Sequence, residues 1–222
     1  MTSPRERGPR GLAWAVRLGE RVFLRPPTPS DEDEFAALRR RSLARLRPWE
    51  PLPPPGVSRA PSQLFERLLA QRRSEHCSKL LVCLRSDGAI AGGANLNEIV
   101  RGALQGCFAG WWIGDPYEGR GYMREALALL LDHAFFDLAL HRVEANIRPE
   151  NARSLKLAAA LGMRREGYSP RYLQIAGAWC DHERWAMLAD EWAPKRDESA
   201  TAVTRPTTSA PRPGTAGSRR RR

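Results

Sequence analysis

No apolar run in this 222-residue chain reaches the roughly 18 residues that span a bilayer, and the opening Met1-Thr-Ser-Pro-Arg5 lacks the apolar core of a secretory signal. A cytoplasmic protein with no membrane partner is expected. Cysteine is scarce. Cys77, Cys83, Cys107 and Cys180 show no Cys-x-x-Cys spacing, and a chain of this size needs no disulfide staple, so reduced, buried thiols are expected. His76, His133, His141 and His182 are equally scattered, so no metal site is expected. Negative charge is also short, with 25 acidic residues against 36 basic ones and a formal net charge of +11.

That excess is uneven along the chain. Residues 195–222 carry eight basic and two acidic residues, a net of +6, and residues 1–10 add +2, which leaves +3 for everything between. From Thr201 the chain is Pro, Thr, Ser, Ala, Gly and Arg apart from Val203, with almost nothing to bury, and it ends in four arginines. A basic disordered tail over 195–222 is expected, and a basic flexible N-terminus over 1–17. Such a tail either solvates the chain or adds salt-dependent, sequence-independent contact with RNA phosphates. The intervening 18–194 is long enough for one well-buried core and is read as one domain.

Within that domain Phe108-Ala-Gly-Trp-Trp-Ile113 reads as a buried strand, Asp115-Pro116 breaks it, and Gly119-Arg-Gly121 precedes a long amphipathic stretch. The order is strand, Gly-rich turn, helix. Bare glycines let consecutive backbone N–H groups approach an anion, and the helix behind contributes about half a positive charge. A Walker loop is excluded, because Gly121 is followed by Tyr122-Met123 instead of Lys and Ser or Thr. A dinucleotide fingerprint is incomplete, because its third glycine is missing. Taken alone, the turn is equally a plain helix entry.

Elsewhere, Arg21–Arg25 reads as a strand, and Ser30-Asp-Glu-Asp-Glu34 as the start of a helix reaching about Leu46. A second helix is expected over 63–71. Asp87-Gly88 between Leu80–Leu84 and Ala89–Ala94 signals a hairpin. After the glycines, Leu127, Leu130, Leu131, Ala134, Phe135 and Leu138 share one helical face, with Glu125, Asp132 and Asp137 expected on the other. Val143, Ala145 and Ile147 alternate with polar neighbours as a strand does. Hairpins combined with a strand–loop–helix–strand unit give an α/β fold.

From Gly110 to Trp192 the chain resembles the GNAT superfamily of acetyl-CoA-dependent N-acetyltransferases. The residues that carry this are Glu118-Gly-Arg-Gly121-Tyr-Met123, His141-Arg-Val-Glu-Ala-Asn146, Pro149-Glu-Asn-Ala-Arg-Ser154 and Leu161-Gly-Met163. Glu118 and Met123 depart from the family's Gln/Arg-x-x-Gly-x-Gly/Ala pattern. Arg47-Pro-Trp-Glu-Pro51, Ile99-Val-Arg-Gly102, Glu166-Gly-Tyr168 and Trp179-Cys-Asp-His182 are similar to the RimJ/RimL branch, which acetylates N-termini of ribosomal proteins. The similarity spans about Val22 to Trp192.

The resemblance implies a mixed central sheet with splayed parallel strands flanked by helices, with acetyl-CoA as cosubstrate. It implies cofactor contacts at Trp111, Trp112 and Ile113 of the first splayed strand, with Glu144 to Ile147 as its partner. Further contacts are implied at Gly119, Arg120, Gly121, Tyr122 and Met123 of the loop, and at Asn151 and Ser154 of the following helix. Ser154 would protonate the departing thiolate; otherwise Asn151 and Ser154 are a helix cap with a spare hydroxyl. Glu98 is the candidate base, working through water, against a plain solvated edge-strand Glu. Asp181 and His182 are expected as a structural pair. Trp111, Trp112, Tyr122, Tyr168, Tyr172 and Trp179 either wall a peptide channel or pack core and rim, and Arg101 and Arg171 are undecided. The implied acceptor is the N-terminal amine of a protein, a small-subunit ribosomal protein starting with alanine. A small amine such as an antibiotic or polyamine, and a non-catalytic ribosome-assembly role, remain open. The oligomeric state is not legible.

Overall fold

The computed structural model describes residues 9–197 apart from 54, 55, 57 and 59. Two short N-terminal strands, β1 (Arg17–Leu18) and β2 (Val22–Arg25), lead into helices α1 (Glu32–Leu46) and α2 (Pro61–Ala70). Strands β3 (Ser78–Leu84), β4 (Ile90–Val100) and β5 (Gly106–Ile113) follow as an antiparallel meander, with Gly88 at φ +80° turning the expected hairpin. Helix α3 (Tyr122–Asp132) continues into a π-helical turn, His133–Asp137. Strand β6 (Arg142–Ile147), helix α4 (Ala152–Ala160), the long hairpin β7 (Arg164–Ile175) and β8 (Ala178–Leu188), and helix α5 (Ala189–Asp197) complete the order.

The eight strands form one sheet, ordered β1-β2-β3-β4-β5-β6-β8-β7. Its faces follow the alternation of side chains along each strand. One face carries Leu80, Val82, Leu96, Cys107, Val143, Ala145 and Ile147, packed against the Leu127–Leu131 stretch of α3. The opposite face carries Phe23, Leu81, Cys83 and Ile90 under Phe35, Leu38 and Phe65 of α1 and α2. Glu125, as the first turn of α3 passes β2, accepts from the Arg21 and Val22 amides at 2.8 and 3.2 Å, which clamps the helix to the sheet.

Five readings from sequence need correction. Asp132 is buried beneath α5, where Trp192 Nε1 donates to its Oδ1 at 2.9 Å; a distant helix covers a face that looks solvent-directed along α3. Residues 9–17 are folded onto the domain: the Val16 amide bonds Leu24 O at 2.8 Å, and Arg17 pairs with Asp137 at 2.7 Å. Helix α5 runs three residues past the expected boundary at 194, whereas residues 1–8 and 198–222 of the expected tails lie outside the described residues. Only Cys83 and Cys107 are buried, their thiols pushed up by burial to about 11 and about 12, while Cys77 and Cys180 are half-buried. Asp181 and His182, as neighbours on a strand, face opposite ways. Asp181 accepts from the Tyr168 hydroxyl and the Arg171 amide, whereas the buried His182 meets Cys180 O at 2.9 Å and Tyr172 edge-on.

Candidate active site

The parallel pairing of β5 with β6 is short. It runs through Gly106↔Arg142, Cys107↔Val143 and Phe108↔Glu144 and then stops, although β5 stays paired with β4 to Ile113 and β6 with β8 to Ile147. Beyond Phe108 the two strands have therefore parted, leaving the inner edges of Ala109–Ile113 and Ala145–Ile147 without strand partners. Unpaired backbone donors and acceptors of this kind are satisfied by water or by an extended ligand.

Where β5 ends, a cavity of about 1150 Å³ opens, walled by β5, the loop that follows it, the first turn of α3, the N-terminal half of α4 and the C-terminal end of α1. Its size suits a cofactor-scale ligand. Gly119 and Gly121, at φ +72° and +78°, hold a left-handed conformation that side chains rarely adopt, and Gly121 caps α3 without any side-chain hydrogen bond. A methyl group on Gly119 would meet nothing within 4 Å. The loop is braced from behind, because Arg21 takes the Arg120 carbonyl at 3.0 Å and stacks 5.3 Å over Tyr122. The open concavity, the uncapped helix start and the adjacent basic side chains of Arg45, Arg124, Arg153 and Lys156 suit a diphosphate.

Most expected contacts come together here. Trp111, Trp112, Ile113, Gly119, Gly121, Tyr122, Met123, Asn151 and Ser154 all line the cavity. Asn151 Oδ1 accepts from the Ser154 amide at 3.2 Å, so the cap leaves the half-buried Ser154 hydroxyl free for the cavity side. Arg120 is not among the lining residues and contributes its carbonyl to Arg21. Glu98 is also set apart. It sits exposed at a bulge of β4, with φ +49°, beside the closed end of the β5–β6 seam. Tyr168, Tyr172 and Trp179 are exposed on the β7–β8 hairpin, and Arg101 binds Leu138 O at 2.6 Å.

The ion pairs and stacking contacts that brace this cavity were not legible in the sequence. Arg45 of α1 reaches Asp115 at 2.6 Å, Ile113 O at 2.7 Å and Glu118 at 3.1 Å, and Glu118 also pairs with Arg153 of α4. The unexpected Glu118 thus ties α1 to α4 across the loop. The Arg47-Pro-Trp-Glu-Pro51 phrase forms the outer lip: Arg148 stacks 5.5 Å over Trp49 and bonds Pro48 O, while Glu50 pairs with Arg39, itself 4.8 Å over Trp112. No spacing signal links those residues, since each pairing joins distant segments.

Residues 21–164 match the family described as Acetyltransferase (GNAT) domain. The chain belongs to the GNAT acetyltransferase family. Members of this family use acetyl-CoA as the acetyl donor, and the splayed strands and glycine loop fit that ligand. Among curated relatives, the chain is 39% identical over 103 residues to the Probable N-acetyltransferase YjcK of Bacillus subtilis, covering 46% of this chain and 57% of that protein. It is 42% identical over 93 residues to the [Ribosomal protein uS5]-alanine N-acetyltransferase of Escherichia coli, covering 42% and 48%. The chain thus spans about half the length of these relatives. The solved structure of Mycobacterium smegmatis RimJ in complex with CoA-disulfide superposes with a TM-score of 0.74 at 30% identity, over 84% of this chain and 95% of that one. A Vibrio cholerae spermidine N-acetyltransferase in complex with CoA and spermine shares the fold, with a TM-score of 0.66 at 20% identity over 78% and 98%.

Proposed function

We propose that this GNAT protein transfers an acetyl group from acetyl-CoA to the N-terminal amine of a protein, specifically a small-subunit ribosomal protein that begins with alanine. The observation that carries acetyl transfer is the loss of β5–β6 pairing beyond Phe108↔Glu144, directly in front of the Gly119–Gly121 loop. The choice of acceptor is supported by the relatives whose names specify ribosomal-protein alanine acetylation.

Acetyl-CoA supplies a thioester that an amine can attack directly, with no covalent enzyme intermediate. In this reading the inner edge of Trp111–Ile113 hydrogen-bonds the extended arm of the donor, and the amides following Gly119 and Gly121 take its diphosphate. Ser154, half-buried at the start of α4, delivers its hydroxyl proton to the sulfur as the C–S bond breaks and recovers one from solvent. An N-terminal α-amine has pKa about 8, so exposing its lone pair near neutrality costs about 1.4 kcal/mol, against over 4 kcal/mol for a lysine near 10.4. So light a demand needs no strong base, and a carboxylate relaying through water suffices. Glu98 lies outside the cavity lining, whereas Glu50 lies within it but is held by Arg39.

The basic residues of 195–222 add a salt-dependent hold on ribosomal RNA that raises the encounter rate with assembling subunits. The test is mass spectrometry of ribosomal proteins from cells with and without the gene. An N-terminal acetyl group should be missing from one alanine-starting small-subunit protein in its absence. An unchanged set of ribosomal N-termini, with purified enzyme acetylating a small amine instead, would refute this acceptor.

A further inference from the structure

Among the described residues, two buried side-chain oxygens have no hydrogen-bond partner, Asn95 Oδ1 and Asn146 Oδ1. They stand on either side of the splay. Asn95 of β4 pairs directly with Gly110 of β5. Asn146 of β6 is level with Gly110 when the last rung, Phe108↔Glu144, is continued by two residues, to where the strands have separated. Both share a face. Ala94 and Leu96 pack into the core under α3, as do Ala145 and Ile147, so the asparagines between them point to the opposite side of the sheet. Between them Gly110 carries no side chain, and a methyl group there would press on Asn97 Nδ2 at 3.3 Å, its one neighbour within 4 Å.

A buried amide oxygen left unmatched costs free energy that a bound donor would recover. Asn97, one pleat away, shows the contrast. It accepts from the Lys79 ammonium and donates to Phe108 O, so its amide is satisfied within the protein. Resting on the acetyl-transfer reading above, we propose that Asn95 and Asn146 form the receptor for the acceptor amine. Their two oxygens, which lie beside the Trp111–Ile113 wall of the cavity but outside its lining, take N–H donors of the incoming amine on the face of the sheet opposite α3, where Gly110 carries no side chain.

The surrounding charges narrow the class of amine. Lys79 stands opposite Asn95 on β3, and Arg184 opposite Asn146 on β8. Arg148 lies two residues further along β6's line, stacked over Trp49. The carboxylates on this side are already engaged, Glu144 with Arg142 at 2.8 Å, Glu50 with Arg39 at 2.7 Å and Glu150 with Arg148 at 3.2 Å. His182, two residues before Arg184, is buried, which lowers its proton affinity. A polycation entering this row meets like charge at both ends. A single α-amine followed by peptide carbonyls instead finds two acceptors for its N–H groups and two cations for its carbonyls. The receptor thus selects a peptide N-terminus over a polyamine.

The experiment compares acetylation of a short alanine-starting peptide and of spermidine by the full chain and by Asn95→Leu, Asn146→Leu and Asn95→Asp. Each Leu variant should lose roughly 10- to 150-fold in kcat/KM for the peptide, mainly through KM, the worth of one hydrogen bond to a charged group. Affinity for CoA, read by calorimetry, should stay within about threefold, which also certifies folding. Asn95→Asp should shift the spermidine-to-peptide ratio of kcat/KM upward at least about tenfold by placing a carboxylate in the row. Leu variants that bind CoA and keep full peptide turnover would overturn the receptor while leaving the acetyltransferase reading intact. Wild-type preference for spermidine would overturn the substrate class, and the Leu variants' kinetics with spermidine would then judge the receptor. Failure of the wild type to acetylate either amine would overturn the peptide-acetylation reading and the receptor with it.

Discussion

Gly119→Ala separates a binding defect from a folding defect. Gly119 holds φ +72°, and a methyl group added there touches nothing within 4 Å. Its cost to the fold is therefore the left-handed strain alone, about 1–2 kcal/mol. Its cost to binding is different, because the methyl enters the space a diphosphate needs to reach the loop amides. Loss of one charge-assisted hydrogen bond removes about 1.5–3 kcal/mol, a factor of roughly 10 to 150 in Kd. Gly102 supplies the control. It has φ +70°, is equally unobstructed, and lies on the β4–β5 connection away from the cavity. Gly102→Ala carries the same backbone strain with no ligand to displace. Calorimetric titration of both variants with CoA, alongside their melting curves, should show matched small losses of stability and a large loss of affinity confined to Gly119→Ala. A folded Gly119→Ala protein whose Kd lies within about threefold of wild type would refute the loop assignment.

Ser154→Ala should lower kcat by about 10- to 1000-fold with little change in CoA affinity; a loss expressed only in KM for acetyl-CoA would reduce Ser154 to a binding or capping role. Asn151→Ala, which removes the α4 cap, should cost about 1 kcal/mol in denaturant titration. Burial works to raise the Asp31 carboxyl, but bonds from Arg25 and Thr28 outweigh it and hold the group below the usual range. Its stabilisation is thus complete above about pH 4 and fades as pH falls towards the folded value. Asp31→Asn should lose about 3–5 kcal/mol near neutrality by stranding the buried Arg25, and its acid-melting profile should be flatter than wild type below about pH 4. Deleting residues 198–222 should leave peptide turnover nearly unchanged but flatten the salt dependence of binding to small-subunit particles, and equal slopes would remove the tethering role.

Local pattern in the chain carries the elements. Asp87-Gly88 marks its hairpin, the 3.6-residue stripe from Leu127 to Phe135 marks α3, and alternation from Val143 to Ile147 marks β6, because each signal lies within a few adjacent residues. The glycine turn shows in the same local way as a strand–turn–helix order, whereas Asn151 and Ser154 read locally only as a helix cap and their cofactor role was implied by the family resemblance. What escaped depends on elements far apart in sequence. Asp132 looks like a surface residue until α5 lies over it, 60 residues on. Glu118 reads as a broken motif until Arg45 and Arg153 arrive from α1 and α4. Asn95 and Asn146 look like ordinary strand residues, and only the fold shows that they flank β5 with their side-chain oxygens unpartnered.

That three-rung seam also divides the sheet. On one side are β1 to β5, on the other β6, β8 and β7, and the backbone hydrogen bonds joining the halves along the seam run between residues 105–108 and 141–144. A donor lying along the free edge of β5 acts as part of a missing strand, so its binding energy becomes energy of assembly between the halves. At one hundred times Kd it would add about 2.7 kcal/mol to the folded state. The durability of the enzyme in a cell would then track the supply of its own acetyl donor, with well-fed cells keeping more of it intact.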